Sequence, residues 1–403
     1  MTDENVVFEP IKPPESNRLI SALREETTGG LLLIVTTGTA LLWANSMWSH
    51  SYSTFTHFEI GPKSLGLHLP ISLWATDFLL AFFFYVIGIE LKHEIVHGSL
   101  SSVRQAGVPI IAAFCGAFFS LAIFLVFNGG SNVAHAWGIP ISTDVAFALA
   151  VLAIAGRALP LELRSFLLTV AVVNDLFAIF VIAIFYGQGF TAGYFIASLL
   201  FIGLFWLLQR RNFATRWLGL PLAALSWYCM FRSGVHSTIA GVGLGLVMSV
   251  HKTEGQTVTS AERAEHLIRP FASGFCVPFF ALVSIGVSIA GSSVQNVFTS
   301  KVGLGIICGF IIGQPLGITL GAFVTTKLSQ SRLHKSLTWL DVAIVGTLAS
   351  IGFTVALLVT EVSFTHDEDL LNVAKTSIIF SNLIAVIISM SVIRLRKRKL
   401  LSP

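Results

Sequence analysis

Twelve apolar runs, most of them near the length that crosses a hydrocarbon layer, dominate this chain. They fall at 31–45, 71–91, 106–127, 137–155, 161–186, 193–208, 217–230, 236–250, 268–290, 303–326, 340–361 and 374–393. A helix needs about 20 apolar residues to span a bilayer core of roughly 30 Å. A water-facing globule is excluded, because 54% of the 403 residues are hydrophobic and only 11% charged, against about 25% charged in soluble domains. The expected fold is an all-α membrane protein of about twelve transmembrane helices.

The placement of charge orients these spans. With both termini cytoplasmic, 21 of the 25 Lys and Arg residues fall in cytoplasmic segments, and Lys63, Arg232, Lys301 and Lys375 fall outside. A miscounted span would invert the alternation downstream, so the asymmetry supports twelve spans with both ends inside. The net charge of +4 is too small to point to a nucleic-acid partner. Residues 1–28 are polar, acidic and proline-containing, which reads as a cytoplasmic tail and not a secretory signal. A membrane domain over 29–393 and a basic cytoplasmic tail over 394–403 follow. Cys115, Cys229, Cys276 and Cys308 are scattered singly, so neither a disulfide framework nor a thiolate metal site is supported, and no cofactor is expected.

Two local patterns stand out. Phe55 to Ile60 and Leu65 to Leu69 alternate apolar and polar around Gly61-Pro62-Lys63-Ser64, which predicts a short β-hairpin in the first external loop, about 53–70. In the tenth span Gly305, Gly309, Gly313, Gly317 and Gly321 recur every four residues and leave one helix face bare for close packing.

A carboxylate at mid-membrane costs roughly 2.5–3.5 kcal/mol on insertion scales, so each one asks for a reason. Three fall inside apolar runs: Asp77, Asp144 and Asp175. Asp144 lies in Gly138-Ile139-Pro140-Ile141-Ser142-Thr143-Asp144, where a proline and polar side chains interrupt the fourth span, and Ser350-Ile351-Gly352-Phe353-Thr354 interrupts the eleventh. Unwound backbone is tolerated in a membrane where it lines a cavity, and its carbonyls can replace the hydration shell of a small cation. Paired interruptions in corresponding parts of two halves are the sequence mark of an inverted-repeat secondary transporter.

Four segments carry a family likeness. Thr143-Asp144-Val145-Ala146-Phe147-Ala148-Leu149, Ser233 to Gly241, Pro315-Leu316-Gly317 and Ile351-Gly352-Phe353-Thr354 resemble signature segments of the NhaA family of bacterial sodium/proton antiporters, a likeness extending from about Glu25 to Arg396. The resemblance implies inverted repeats with two broken, crossing helices, a fold for which that family is itself a standard example. It implies that Asp175 binds either cation or proton, with Asp144 and Thr143 shaping the site beside Gly352 and Thr354. Asp77, near the outer end of the second span, is expected to serve an outer pathway, and the resemblance implies a cytoplasmic funnel tied to pH response, formed by Glu90, Lys92, Glu94, Glu265 and His266, with His236 on a family histidine. A homodimer through the external hairpin and an inner-membrane location follow from the same likeness.

This chain departs from the family at two positions. Adjacent aspartates in the fifth span are here Asn174-Asp175, and the lysine of the tenth span is Gln314. The changes compensate, since a buried lysine without its aspartate would be costly whereas two amides can hydrogen-bond as neutral groups. With one titratable carboxylate fewer, exchange of sodium or lithium for protons is expected to be electrically neutral. The amide oxygens leave the choice among lithium, sodium and potassium open.

A rival reading rests on His93-Glu94-Ile95-Val96-His97, a full H-E-x-x-H match, which would make the chain an intramembrane metalloprotease. A second rival takes Asp144 and Asp175 as an aspartyl protease dyad sharing a proton, but neither lies in a G-x-G-D segment. No phosphate-binding Walker A loop is present, so direct nucleotide-driven pumping is not supported.

Overall fold

The computed structural model describes residues 26–101, 103–156, 159–187, 189–210, 216–251, 258–287, 291–328, 333–365 and 367–401. The expected N-terminal tail lies outside the described residues up to position 25, as do Arg157, Arg211, Lys252 and Arg332 and the last two residues of the basic tail. In chain order the helices are α1 Glu26–Ala44, α2 Ser49–His57, α3 Ile71–Val96, α4 Val103–Asn128, α5 Val145–Ala155, α6 Leu161–Phe185, α7 Ala192–Arg210, α8 Arg216–Arg232, α9 Thr238–Leu246, α10 Ser260–Ser284, α11 Gly291–Thr299, α12 Lys301–Leu328, α13 Trp339–Ala349, α14 Thr354–Ser363 and α15 Glu368–Leu401. A 3₁₀ helix, Ala134–Ile141, precedes α5. Each of the twelve predicted runs carries a helix.

Length separates these helices. Eight among the described residues are individually long and apolar enough to cross a bilayer, and ten if the bent pairs α1–α2 and α13–α14 each count as one span. The runs at 217–230 and 236–250 fall short, because α8 has 17 residues and α9 nine. Between them Gly234, at φ +79°, takes a left-handed conformation that ends one helix before the next begins. The basic segment from Arg394 to Leu401 continues α15.

The hairpin is real but smaller than its sequence pattern. Glu59–Ile60 (β1) pairs antiparallel with Leu69–Pro70 (β2), in register Glu59 with Pro70 and Ile60 with Leu69. Its predicted first arm began at Phe55, yet Phe55, Thr56 and His57 close α2 instead. The Ser and Thr hydroxyls there bond back along the helix, Thr54 to His50 and Thr56 to Ser53, which favours a short helix over an extended arm.

The chain divides into two compact units. One comprises Met1–Thr36, His50–Gly98 and Ala183–Ser284. In it α3 and α9 meet backbone to backbone, since a Cβ on Gly88, Gly241 or Gly245 would strike a main-chain carbonyl of the facing helix. Tyr85, Ile89, Leu244, Met248 and Ala264 fill the core beside that contact. The hairpin loop is held by this unit: Tyr228 donates to the Leu65 carbonyl (3.0 Å) and Trp74 to that of Ile60 (3.0 Å).

The other unit comprises Thr37–Ser49, Ser99–Ile182 and Ile285–Pro403. Its α4 and α12 pack through the predicted glycine stripe. A Cβ on Gly313 would lie 2.6 Å from Ser120 Cα and one on Gly321 2.9 Å from Ala112 Cα, while Gly317 rests on Cys115 and Gly116. Small residues let two backbones approach this closely without interlocking side chains.

Within this unit α15 splints the broken span formed by α13 and α14, which bend by 45°. Arg396 grips buried Asp341 at the start of α13 with two hydrogen bonds (2.8 and 3.1 Å). Lys375 pairs with Glu361 near the end of α14 at 2.6 Å. Because 375, 382 and 396 are multiples of seven apart, they share one face of α15, and Asn382 meets the break between the two ion pairs.

Candidate functional site

The site is built where two helix breaks touch. The 3₁₀ helix ends at Ile141, Ser142 and Asp144 are extended (ψ 154° and 100°), and α5 starts at Val145. Pro140, lacking an N–H, weakens the ladder just before the break. Asp144 caps α5, with Oδ1 accepting from the Phe147 N–H at 3.0 Å, so the carboxylate faces the positive end of a helix.

The eleventh span breaks at Ser350-Ile351-Gly352-Phe353, and direct hydrogen bonds join the two breaks. The Asp144 N–H donates to the Ile351 carbonyl (2.6 Å), and Thr143 Oγ1 donates to that of Ala349 (2.9 Å). In return Thr354 donates its N–H (3.3 Å) and its hydroxyl (3.1 Å) to Asp144 Oδ2. A side chain on Gly352 would collide with the Ser142 carbonyl and the Phe310 ring, so glycine permits the contact.

Two neutral amides clasp this crossing from other helices. Thr143 gives its hydroxyl proton to Ala349, so it can only accept from Asn174 of α6, whose Nδ2 lies 3.0 Å away. Gln314, directly after the π-helical turn Gly309–Gly313, donates Nε2 to the Ile141 carbonyl at 2.6 Å. The amides bind the same segment two residues apart and do not bond each other. Asp175 is buried on the same turn of α6 as Asn174.

Acceptor oxygens are left over here. Ser142 Oγ, Asn174 Oδ1 and Gln314 Oε1 are buried and receive no hydrogen bond from the protein, and Asn382 Oδ1 adds a fourth beside the eleventh-span break. An unsatisfied buried acceptor costs roughly 1–3 kcal/mol, so four around one crossing suit a site that meets an ion.

The other expected site residues form two separate groups. Asp77 sits in a π-helical turn of α3, where its Oδ1 accepts from Ser237 (2.6 Å) and lies 3.8 Å from His236 Nδ1. The turn also frees the Asp77 carbonyl, which accepts from Trp227 (2.8 Å) and Ser237 (2.9 Å). Near the other end of α3, Arg269 of α10 bridges Glu90 and Glu265. Lys92 and Glu94 stand on the last turns of α3, and His266 follows Glu265. His236 therefore belongs with Asp77 and not with the Glu90 group, because positions 77 and 90 are 13 residues, about 20 Å, apart along α3.

Sequence reasoning missed Arg269, Ser237, Asn382 and the Asp341–Arg396 pair. Their types are ordinary for loops and helix ends, and nothing local marks a partner 55 or 179 residues away. The H-E-x-x-H match does not assemble a metal site. His93 and His97 lie ring to ring, centroids 5.5 Å apart, but no group of three His, Cys, Asp or Glu that could hold a metal exists among the described residues. As for the aspartyl dyad, both oxygens of Asp144 face helix N–H groups and Thr354, an arrangement suited to an ionised cap.

A family profile described as Na+/H+ antiporter 1 matches residues 21–393. Na(+)/H(+) antiporter NhaA 3 of Streptomyces coelicolor is 42% identical over 97% of this chain and 83% of its own length. The Na(+)/H(+) antiporter NhaA of Thermobifida fusca is 42% identical over 96% of both chains, and that of Mycolicibacterium smegmatis 42% over 95% of this chain and 90% of its own. The chain, a multi-pass integral membrane protein, belongs to the NhaA family of sodium/proton antiporters.

Proposed function

We propose that this protein exchanges sodium or lithium for protons across the bacterial inner membrane, cation leaving as protons enter, with both termini cytoplasmic. The observation that carries the reading is the crossing of two broken helices around Asp144, with buried oxygens left unsatisfied beside it. Asp175 is the carboxylate that holds either a proton or the cation. Asp144 and Thr143 fix the crossing, and Thr354 and Gly352 complete it from the second break. Since the two occupants exclude each other and only occupied forms reorient, one gradient drives the other.

Asn174 and Gln314 stand where the family resemblance implies an ion pair, and both clasp the break without charge. Exchange is therefore one proton per cation and electrically neutral. Asp77 with His236 serves the outer pathway. Glu90, Glu265 and Arg269, with Lys92, Glu94 and His266 nearby, form the charged cytoplasmic mouth through which pH acts. A homodimer forms through the hairpin.

Purified protein in liposomes with a pH-sensitive dye inside tests the reading. Sodium or lithium added outside is expected to move protons, with half-saturation at a defined concentration. No proton movement with any alkali cation would overturn it.

A further inference from the structure

The buried face of α15 holds several hydroxyls, and most are satisfied within their own helix. Thr376 donates to Asn372, Ser377 to Val373 and Ser381 to Ile378, at 2.7, 2.7 and 2.9 Å. Asn382 differs. It is 5% exposed and reaches 30 residues back along the chain, donating Nδ2 to the Gly352 carbonyl at 3.0 Å. A carbonyl only accepts, so this contact fixes the amide's orientation and leaves Oδ1 as the outer atom of the fork. That oxygen receives no hydrogen bond.

Capping the Gly352 carbonyl needs only a donor, whereas an asparagine also brings a buried acceptor that the fold does not satisfy. The Ser142 carbonyl also packs against Gly352, and the hydroxyl of Ser142 is a second unsatisfied oxygen. Two residues that touch Gly352 thus each carry an uncharged buried oxygen that the fold leaves unsatisfied. Sodium and lithium are hard cations that take oxygen ligands in place of water.

We propose that Asn382 is a specificity-determining residue of the cation path: its Nδ2 holds the break open at Gly352, and its Oδ1, with Ser142 Oγ, ligates the dehydrated cation. This rests on the crossing being the cation site. Because both ligands are neutral, they set affinity and the choice between lithium and sodium without changing the charge moved.

The test is the half-saturating concentration and maximal rate for sodium and lithium in proteoliposomes, for Asn382→Leu, Asn382→Asp and Ser142→Ala. Asn382→Leu is expected to raise KM about tenfold, with maximal rate within about threefold, because a lost oxygen contact to a charged group weakens binding by about that factor. The lithium-to-sodium KM ratio is expected to move at least about threefold, and Asn382→Asp, which keeps an oxygen but loses the donor to the Gly352 carbonyl, to lose less affinity than Asn382→Leu. Should Asn382→Leu fail to fold, Ser142→Ala removes an oxygen that bonds nothing and is expected to raise KM about threefold. Wild-type KM values and ratio, with a loss confined to maximal rate or folded yield, would reduce Asn382 to a structural splint and overturn the inference. Asp175→Asn is assayed in parallel: if exchange persists there, the site reading itself fails, whatever Asn382 does.

Discussion

Asp175→Asn abolishes sodium-driven proton movement while leaving the protein folded. Its neighbour in sequence is already an amide, and Asn174 is engaged with Thr143, so no second titratable group stands on that turn of α6. Asp144 cannot take over. Its carboxylate is already engaged at both oxygens, capping α5 and accepting from the Thr354 N–H and hydroxyl. The substitution is isosteric and removes a buried charge, so thermal stability in detergent should stay equal or rise slightly. The expected fall is about a hundredfold or more in initial rate, down to the level of empty liposomes. Exchange above that background would show that the proton is carried elsewhere.

Gln314→Lys is expected to destabilise the protein, and adding Asn174→Asp to reverse the loss. Gln314 is fully buried and donates to the Ile141 carbonyl at 2.6 Å. A lysine there would set an ammonium among neutral partners, at a cost of about 3 kcal/mol or more. An aspartate at 174 acts on the same segment, two residues along at Thr143, and would supply the missing charge. Melting temperature in detergent for both single variants and the double variant completes the cycle, with a coupling of about 1–3 kcal/mol expected. A Gln314→Lys variant as stable as the parent would mean that another carboxylate reaches the site.

Much of this architecture is legible in the chain because bilayer thickness acts locally: a run of apolar residues needs no partner to be recognised. The two breaks are legible for the same reason, since Pro140, Ser142, Thr143 and Ser350-Ile351-Gly352 are conspicuous against apolar surroundings. The glycine stripe of α12 announces a close neighbour but not that α4 supplies it. What stays hidden is pairing across sequence. Nothing near Asn382 shows that it reaches Gly352, and Arg269 resembles any basic residue at a helix end until Glu90 is brought to it. The hairpin was overread because alternation in Phe55 to His57 fits a strand as well as one turn of helix, and the hydroxyls of Thr54 and Thr56 settled it toward helix. Family likeness alone sets His236 beside the funnel residues, whereas the turn at Gly234 brings it to Asp77.

The proposed exchange runs through a single carboxylate and moves no net charge. It is tested most directly by sodium-induced proton movement in proteoliposomes while potassium and valinomycin impose voltages of either sign. A potential of about 100 mV acts with roughly 2.3 kcal/mol on each net charge moved, so a cycle that moves charge must respond steeply. A sodium-dependent rate that is the same at positive, zero and negative potential is expected. A rate that rises and falls with voltage would contradict it and require a second proton carrier beside Asp175.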